Sequence, residues 1–427
     1  MNVMRIAYAL LTYLLSPAYA LYWLFRGFSE RAYLDRFGQR FGFGYPKLAG
    51  GCIWIHAVSV GEVQASAPLV HALAKKFPER QLLITTVTPT GAARAAKLFA
   101  ETVIHCYMPF ETPHSVRNFF DATRPQLALV METEIWPNLY YACGKRNIPL
   151  VLVSARISQS SVKNYRRLLP LFRETLSYGI VIAAQSSVDA ERFRSLGTAA
   201  ERTWVTGNIK FDFELDPGLK QKGIDERRRT FGERPIWVAA STHEREEEQV
   251  LAAHRLLQAH LPDALLILVP RHPERFSAVR SLLGKHRFKF VSRTDGRPGT
   301  ADTEVFLGDT MGELPLFYAA SDIAFVGGTL VRVGGHNLLE PAALGRPIVT
   351  GPHLFNTQQI ADMFAEVGAS LVVRNESELA AALRSLFADK QQAERVGIRG
   401  LEIVQSNRGA LQRLMVLLEP LLSKVPD

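Results

Sequence analysis

The sequence predicts an α/β protein made of two doubly wound parallel sheets with helices on both faces. Two observations carry that prediction. Short, uncharged apolar runs alternate with segments of helical spacing along most of the 427 residues, which is how buried parallel strands and their crossover helices read. The alternation stops at a charge-rich stretch, FELDPGLKQKGIDERRRTFGERP (213–235), and then begins again. That break divides the chain into two units. The length also suits two cores of ordinary size better than one.

The first element is apolar. Ile6 to Phe25, IAYALLTYLLSPAYALYWLF, is twenty residues without a charge, bracketed by Arg5 and Arg26. As a helix it is long enough to cross a bilayer. Tyr19, Tyr22 and Trp23 cluster towards one end, where an aromatic belt sits, and membrane helices tolerate a residue such as Pro17. Arg26, Arg31, Arg36, Arg40 and Lys47 follow, against Glu30 and Asp35. The positive-inside rule then leaves the body of the chain in the cytoplasm. Residues 1–27 are therefore expected to form a membrane anchor helix. A cleaved signal peptide fits less well, because the apolar run is long and no clear small-x-small cleavage site follows, and a buried core or monotopic helix is the remaining alternative.

The first unit is expected over 28–212. Its strands read as CIWIHAV (52–58), QLLITTV (81–87), QLALVME (126–132), PLVLVSA (149–155) and GIVIAAQ (179–185), with WVTGNIKFD (204–212) last. Residues 213–234 are expected to be a linker. The second unit, 235–427 including terminal helices, begins with PIWVAAST and continues through ALLILVP, FKFVSR, TEVFLGD, IAFVGG, RPIVTGP and SLVVRN.

Composition excludes several classes. The three cysteines, Cys52, Cys106 and Cys143, have no metal-ligand spacing and read as reduced thiols. No G-x-G-x-x-G follows a predicted strand, and there is no Walker loop, which disfavours dinucleotide oxidoreductases and NTPases. No D-x-D metal motif occurs. The net charge of +9 suits an acidic partner. The basic residues form no aromatic-laced patch and no nucleic-acid motif, so no nucleic-acid partner is expected.

In open parallel sheets, ligands bind outside the carboxyl ends of the strands. The residues that follow each strand are therefore the candidates. After the first strand, HAVSVGEVQA turns at Gly61 into a helix with Glu62 in its first turn. An acid there repels a phosphate. The helix terminus should favour its ionised form, which suits a base, although it also suits a simple helix cap. LALVMETEIWPN puts Glu132 and Glu134 at a strand end, VLVSARIS puts Arg156 at the next, and TGNIKFD puts Lys210 at the last. In the second unit, Pro270 and Arg271 follow a strand, with His272 and Arg275 nearby. Met311, Gly312 and Glu313 make a glycine turn opening a helix. Gly327, Gly328, Gly334 and Gly335 precede Asn337, a helix N-cap in this reading, and Leu338, Leu339 and Glu340 follow. Glu340 reads either as part of a capping box or as an acceptor for a ribose diol. Glu246 to Glu248 read as a solvated helix start. Acids and bases at the strand ends of both units suit a transferase, with one unit for a nucleotide and the other for an acceptor.

Taken in order, HAVSVGE, TPTG, METEIWPN, SARIS, TGNIKFD, STHE, LVPRHPERF, GDTMGEL, FVGGTLVRVGGHNLLEPAALGRP and GPHLFN resemble the 3-deoxy-D-manno-octulosonic acid (Kdo) transferases of lipopolysaccharide synthesis. The likeness runs from the N-terminal segment to near Leu421. It implies a GT-B glycosyltransferase, two Rossmann-like domains facing a cleft. It implies inverting, metal-independent transfer of Kdo from CMP-Kdo to a lipid A precursor, lipid IVA, at the cytoplasmic face of the bacterial inner membrane. No cofactor is expected, and the partners are CMP-Kdo, lipid IVA and inner-membrane lipids. By the same resemblance Glu62 is the base, and Glu132 and Lys210 stabilise the transition state. Pro270, Arg271, Met311, Gly312, Glu313, Asn337, Leu338, Leu339 and Glu340 are the CMP contacts. A transferase or epimerase of the same fold acting on a UDP-sugar is the alternative.

Overall fold

The computed structural model describes residues 3–48, 50–166 and 168–423. Residues 1–2 and 424–427 of the expected terminal segments lie outside them. The chain forms two compact units. One is Met1–Phe213 together with Asn407–Asp427, the other Glu214–Ser406.

The sheet of the first unit has strands β1 (Cys52–His56), β2 (Gln81–Thr86), β3 (Ile104–Tyr107), β4 (Pro125–Met131), β5 (Leu150–Ala155), β6 (Val181–Ala184) and β7 (Thr203–Val205). Their order is β3-β2-β1-β4-β5-β6-β7, and each pairing is parallel. The order reverses between β1 and β4, so the switch point of this doubly wound sheet lies there. Both faces are covered, and the period-2 pleat sends alternate residues to opposite cores. In β1, Cys52 and Trp54 enter one core while Ile53 and Ile55 enter the other. All three cysteines are buried and free.

Strand β3 was not among the expected strands. Its four residues, IHCY, offer too short an apolar run, and its first two are only half-buried at the sheet edge. The C-terminal boundary is also corrected. The helix Ala410–Ser423 does not close the second unit, as the expected span 235–427 has it, but packs in the first. Its apolar stripe, Leu414, Met415, Leu418 and Leu422, fills the core against β1, β2 and β4. The Asp212 carboxylate accepts hydrogen bonds from Gly409 and Leu411 N–H at 2.6 Å each, satisfying the orphan donors of that helix start.

The second sheet has β8 (Ile236–Thr242), β9 (Leu265–Pro270), β10 (Phe290–Ser292), β11 (Val305–Leu307), β12 (Ile323–Val326), β13 (Ile348–Thr350) and β14 (Ser370–Val372). All seven coincide with expected strands. Their order, β10-β11-β9-β8-β12-β13-β14, reverses between β8 and β12. The expected linker, 213–234, is corrected as well, because it contains the helix Leu219–Glu226 of this unit. Two of its charges, Glu226 and Arg227, are paired with residues of this unit rather than solvated. Arg227 binds Asp322 at 2.6 Å, and Glu226 accepts from Arg293 at 2.8 Å. Gly223 lets the helix approach closely, since a Cβ there would lie 2.4 Å from the Ala319 Cβ.

The N-terminal helix Val3–Ser29 is long and apolar enough to cross a membrane by length and composition. It nonetheless touches the first unit along its length. The Arg5 guanidinium lies 3.6 Å from the Tyr141 ring centroid, and the Tyr8 hydroxyl bonds the Glu111 carboxylate. Tyr19 stacks on Phe110 at 4.1 Å, and Arg40 sits 3.8 Å over Trp23.

Leu418 is fully buried. Leu418→Ala should therefore cost about 2–5 kcal/mol, as large-to-small core changes do. Hydrogen exchange on the full chain should show faster opening of β1 and β4, with β8 and β12 unchanged. Faster exchange in β8 and β12 instead would return the last helix to the second unit.

Candidate active site

In the first unit, Glu62, Glu132 and Lys210 come together at the switch point. Glu62 follows β1 and Glu132 follows β4, the two strands between which the order reverses. Ser59 caps the helix Val60–Lys76, and its hydroxyl accepts the Glu62 N–H at 3.4 Å. The Glu62 carboxylate reaches back to accept the Val58 N–H at 2.7 Å. Glu62 therefore does close the helix start, as the bland reading has it. Its ionisation differs from expectation. Burial pushes its carboxyl up to about 7, helped by the negative charges of Glu132 and Glu134, against the Val58 hydrogen bond and Lys210. Desolvation outweighs the helix terminus.

Glu132 is tuned the other way. It sits at φ +55, a left-handed conformation that costs a non-glycine residue about 1–3 kcal/mol and turns the chain out of β4. Its carboxylate accepts from Lys210 Nζ at 2.6 Å and from Arg156 Nε at 2.9 Å. Burial raises its carboxyl, but the two cations overcome that and hold it below the usual carboxylate range. Lys210 is set by its own loop. Asn208 accepts the Lys210 N–H at 3.0 Å, and Ser154, at φ +48 in a break of β5, accepts the Ile209 N–H at 3.1 Å. Glu134 accepts the Trp136 indole N–H at 2.9 Å, and burial raises its carboxyl. Two neighbouring carboxyls, Glu62 and Glu132, are thus driven apart in acidity, the pattern that separates a proton acceptor from a permanent charge.

In the second unit, the switch point is occupied from within. Glu246 is buried, and its carboxylate accepts Gly328 N–H at 2.7 Å and Thr329 and Leu330 N–H at 2.9 Å each. The glycine turn after β12 therefore holds an internal anion. Glu247 is equally buried and pairs with Arg275 at 3.0 Å. The solvated helix start expected at Glu246 to Glu248 is corrected at Glu246 and Glu247 and holds at Glu248, which is exposed, and Arg275 is committed to the Glu247 pair.

Arg271 has no ion pair among the described residues, and its charge is felt at His243, His336 and Glu340. His243 and His336 approach Nε2 to Nε2 at 2.7 Å, across the gap between the ends of β8 and β12. Burial, with the cations around them, lowers His243 to about 4 and His336 to about 3. Both are neutral at pH 7, so one ring N–H is shared between them. These histidines are the residues the sequence reading passed over, although STHE and GGHN each set one just beyond a strand.

The other expected contacts divide. Asn337 is not the N-cap, because the helix Leu339–Ala343 begins after Leu338. The Asn337 side chain accepts Leu339 N–H and donates to Glu340, both at 3.0 Å. Leu338 and Leu339 are buried, so their side chains pack in the core and only their backbone can meet a ligand. Pro270 is the buried last residue of β9. Met311 is exposed and Gly312 has φ +90. Arg293 binds both oxygens of Glu313, at 3.1 and 3.0 Å through Nε, and keeps its carboxyl low.

Two outcomes follow. Glu246→Ala leaves four backbone N–H groups, those of His243, Gly328, Thr329 and Leu330, without their acceptor, at about 1–3 kcal/mol for each that stays buried before relaxation. The second unit should melt markedly earlier, with Glu246→Gln intermediate. Glu62 behaves oppositely. The folded chain holds its proton to about pH 7 and the unfolded chain only to about 4.5. Between those values the folded state binds more protons, so stability falls as pH rises. Glu62→Gln should raise the Tm above pH 7 and not below pH 4.5. An unchanged Tm at high pH would show Glu62 to be ordinarily solvated.

Comparison with known proteins places this geometry. Residues 35–213 match the family model for 3-deoxy-D-manno-octulosonic-acid transferase (kdotransferase), and residues 233–402 match that for glycosyl transferases group 1. The 3-deoxy-D-manno-octulosonic acid transferase of Haemophilus influenzae is 44% identical over 398 residues, 92% of each chain. That of Bordetella pertussis is 35% identical over 395 residues, 90% of each. The solved UDP-GlcNAc 2-epimerase of Neisseria meningitidis shares the fold at a TM-score of 0.54 and 14% identity, covering 87% of this chain and all (100%) of that one. With two sheets of GT-B type and relatives of this identity over nearly its whole length, the chain belongs to the Kdo transferase family of glycosyltransferases.

Proposed function

We propose that the protein transfers Kdo from CMP-Kdo to a lipid A precursor of the lipid IVA type, with inversion and without a metal, in lipopolysaccharide synthesis. One observation carries the chemical part of this reading. A carboxyl poised near 7, Glu62, stands beside a carboxylate locked in its charged form by Lys210 and Arg156. A group with a pKa near the working pH is an effective proton acceptor. Glu62 takes the proton from an acceptor hydroxyl as its oxygen bonds to the anomeric carbon of the sugar. The bond to the CMP phosphate breaks, and its electron pair leaves with CMP. Glu132 fixes Lys210 and Arg156, and its charge stabilises positive character at the anomeric carbon. Lys210 and Arg156 hold the acid group of the sugar or a phosphate of the acceptor.

Arg271, the neutral His243–His336 pair and the backbone at Leu338 and Leu339 receive the departing phosphate charge. Glu340 and Glu313 accept from the nucleoside. This set takes up charge through N–H groups and a guanidinium, which supports a reaction that needs no metal. The N-terminal helix supports attachment to the inner membrane, with the body of the chain on the cytoplasmic side.

Mass spectrometry of the product from CMP-Kdo and a tetra-acylated lipid A precursor should show added Kdo, undiminished by a chelator. Release of UDP from UDP-sugars without release of CMP would overturn the reading. Glu62→Ala should lower turnover by about a hundredfold or more with CMP binding near normal. In the wild type, kcat/KM should rise with pH and level off above an apparent pKa of about 7.

A further inference from the structure

The N-terminal helix turns its polar side to the protein and its apolar side away. Arg5, Thr12 and Trp23 are buried against the first unit, and Tyr8 and Tyr19 reach Glu111 and Phe110. Leu10, Leu14, Leu21, Phe25 and Phe28 are 64–89% exposed. At about 100° per residue, positions two apart lie on opposite sides of a helix. Leu10 therefore stands opposite both Tyr8 and Thr12, and Leu21 opposite both Tyr19 and Trp23. A stripe of large apolar residues this long marks a membrane or partner surface. A helix held to a folded unit from Arg5 to Trp23 presents that stripe sideways. It therefore lies along a surface, as interfacial helices do.

A basic cleft of about 520 Å³ opens beside it, between the helices Pro113–Thr123 and Pro137–Lys145. Arg5, His114, Arg117, Lys145 and Arg146 line it, and no Asp or Glu does. Arg146 is paired with Asp121 at 2.8 Å and Arg5 with Glu174 at 3.7 Å. Arg117 and Lys145 have no carboxylate partner among the described residues, and the buried Arg5 Nε makes no hydrogen bond. Tyr13 and Arg5, both from the N-terminal helix, form one wall. Tyr13 adjoins Leu14 of the exposed stripe in the chain, so the same helix carries both a wall of the cleft and the stripe. The flank Arg26, Arg31 and Arg36, exposed beside Glu30 and Asp35, keeps a net positive charge, which favours a negatively charged bilayer over a neutral apolar partner.

We propose that this cleft binds the phosphate headgroup of an anionic membrane phospholipid, with the helix lying in the bilayer surface and its apolar stripe among the acyl chains. The proposal rests on the membrane attachment read above and adds to it a headgroup site remote in sequence from Glu62, Glu132 and Lys210.

The test is flotation of the full chain with vesicles of phosphatidylcholine alone or mixed with phosphatidylglycerol, neither containing an acceptor. The wild type should float with both and bind the anionic vesicles much more tightly. Each surface cation near a membrane contributes about fivefold. Arg117→Ser with Lys145→Ser should therefore lose on the order of twentyfold of the anionic binding and keep the neutral binding. Both residues are exposed, so circular dichroism should be unchanged. Lys285→Ser with Lys390→Ser, a charge-matched pair on the second unit, should bind like the wild type. Equal wild-type binding to both vesicles, or a double variant that keeps the anionic preference, overturns the headgroup site and leaves membrane attachment standing. Failure to float with either vesicle, or self-association through the stripe, overturns both.

Discussion

The carboxylate of Glu132, held between Lys210 and Arg156 at the end of β4, is the interaction on which the rest of the first unit's site depends. It ties together three strand ends that are distant in sequence. Its left-handed backbone directs it there, and the two cations keep it charged despite burial. That fixed negative charge is felt by Glu62 and adds to the desolvation that raises its carboxyl. One ion-paired group thus positions a lysine and helps set the acidity of its neighbour. Without it, the Lys210 ammonium loses its carboxylate partner, and Glu62 loses one of the smaller contributions that raise its carboxyl, burial remaining the largest.

The second unit uses a buried glutamate differently at the equivalent place. Glu246 binds the N–H groups of the turn after β12, where a glycine-rich loop would otherwise be free to hold a ligand's phosphate. The internal anion gives the turn its shape in advance of any ligand. Arg271, without an ion pair among the described residues, lies with His243 and His336 beside that turn. The same topology therefore carries a carboxyl raised by burial at one switch point and a hydrogen-bonded structural carboxylate at the other. Only the hydrogen-bond partners distinguish them.

The N-terminal helix inverts the usual arrangement of a surface helix. Several of its polar and aromatic groups face the protein, where Arg5 and Tyr8 meet Glu174, Tyr141 and Glu111. Its leucines face outward. Glu111, whose carboxyl burial raises to about 8, also accepts the Leu139 N–H at 2.9 Å. The helix is thereby joined to the element that follows the METE loop. One buried carboxyl thus binds both the N-terminal helix and the start of that element.

By itself the sequence determined the two parallel sheets, because buried strands are long uncharged runs and need no tertiary information to be seen. It also determined the candidate acids and bases, since ligands of such sheets lie just beyond strand ends. The edge strand β3 escaped because a half-exposed four-residue strand has no such run. Charge misled in the stretch 213–234 and at Glu246 and Glu247. A charge reads as solvated until its partners, Arg293, Asp322, Arg275 and the backbone N–H groups of Gly328, Thr329 and Leu330, are brought to it from elsewhere in the chain. The ownership of the last helix was decided by which core its leucines fill. The state of Glu62 was decided by burial, which no local pattern reports. The sequence names the groups, and only the fold sets their water, their partners and hence their charge.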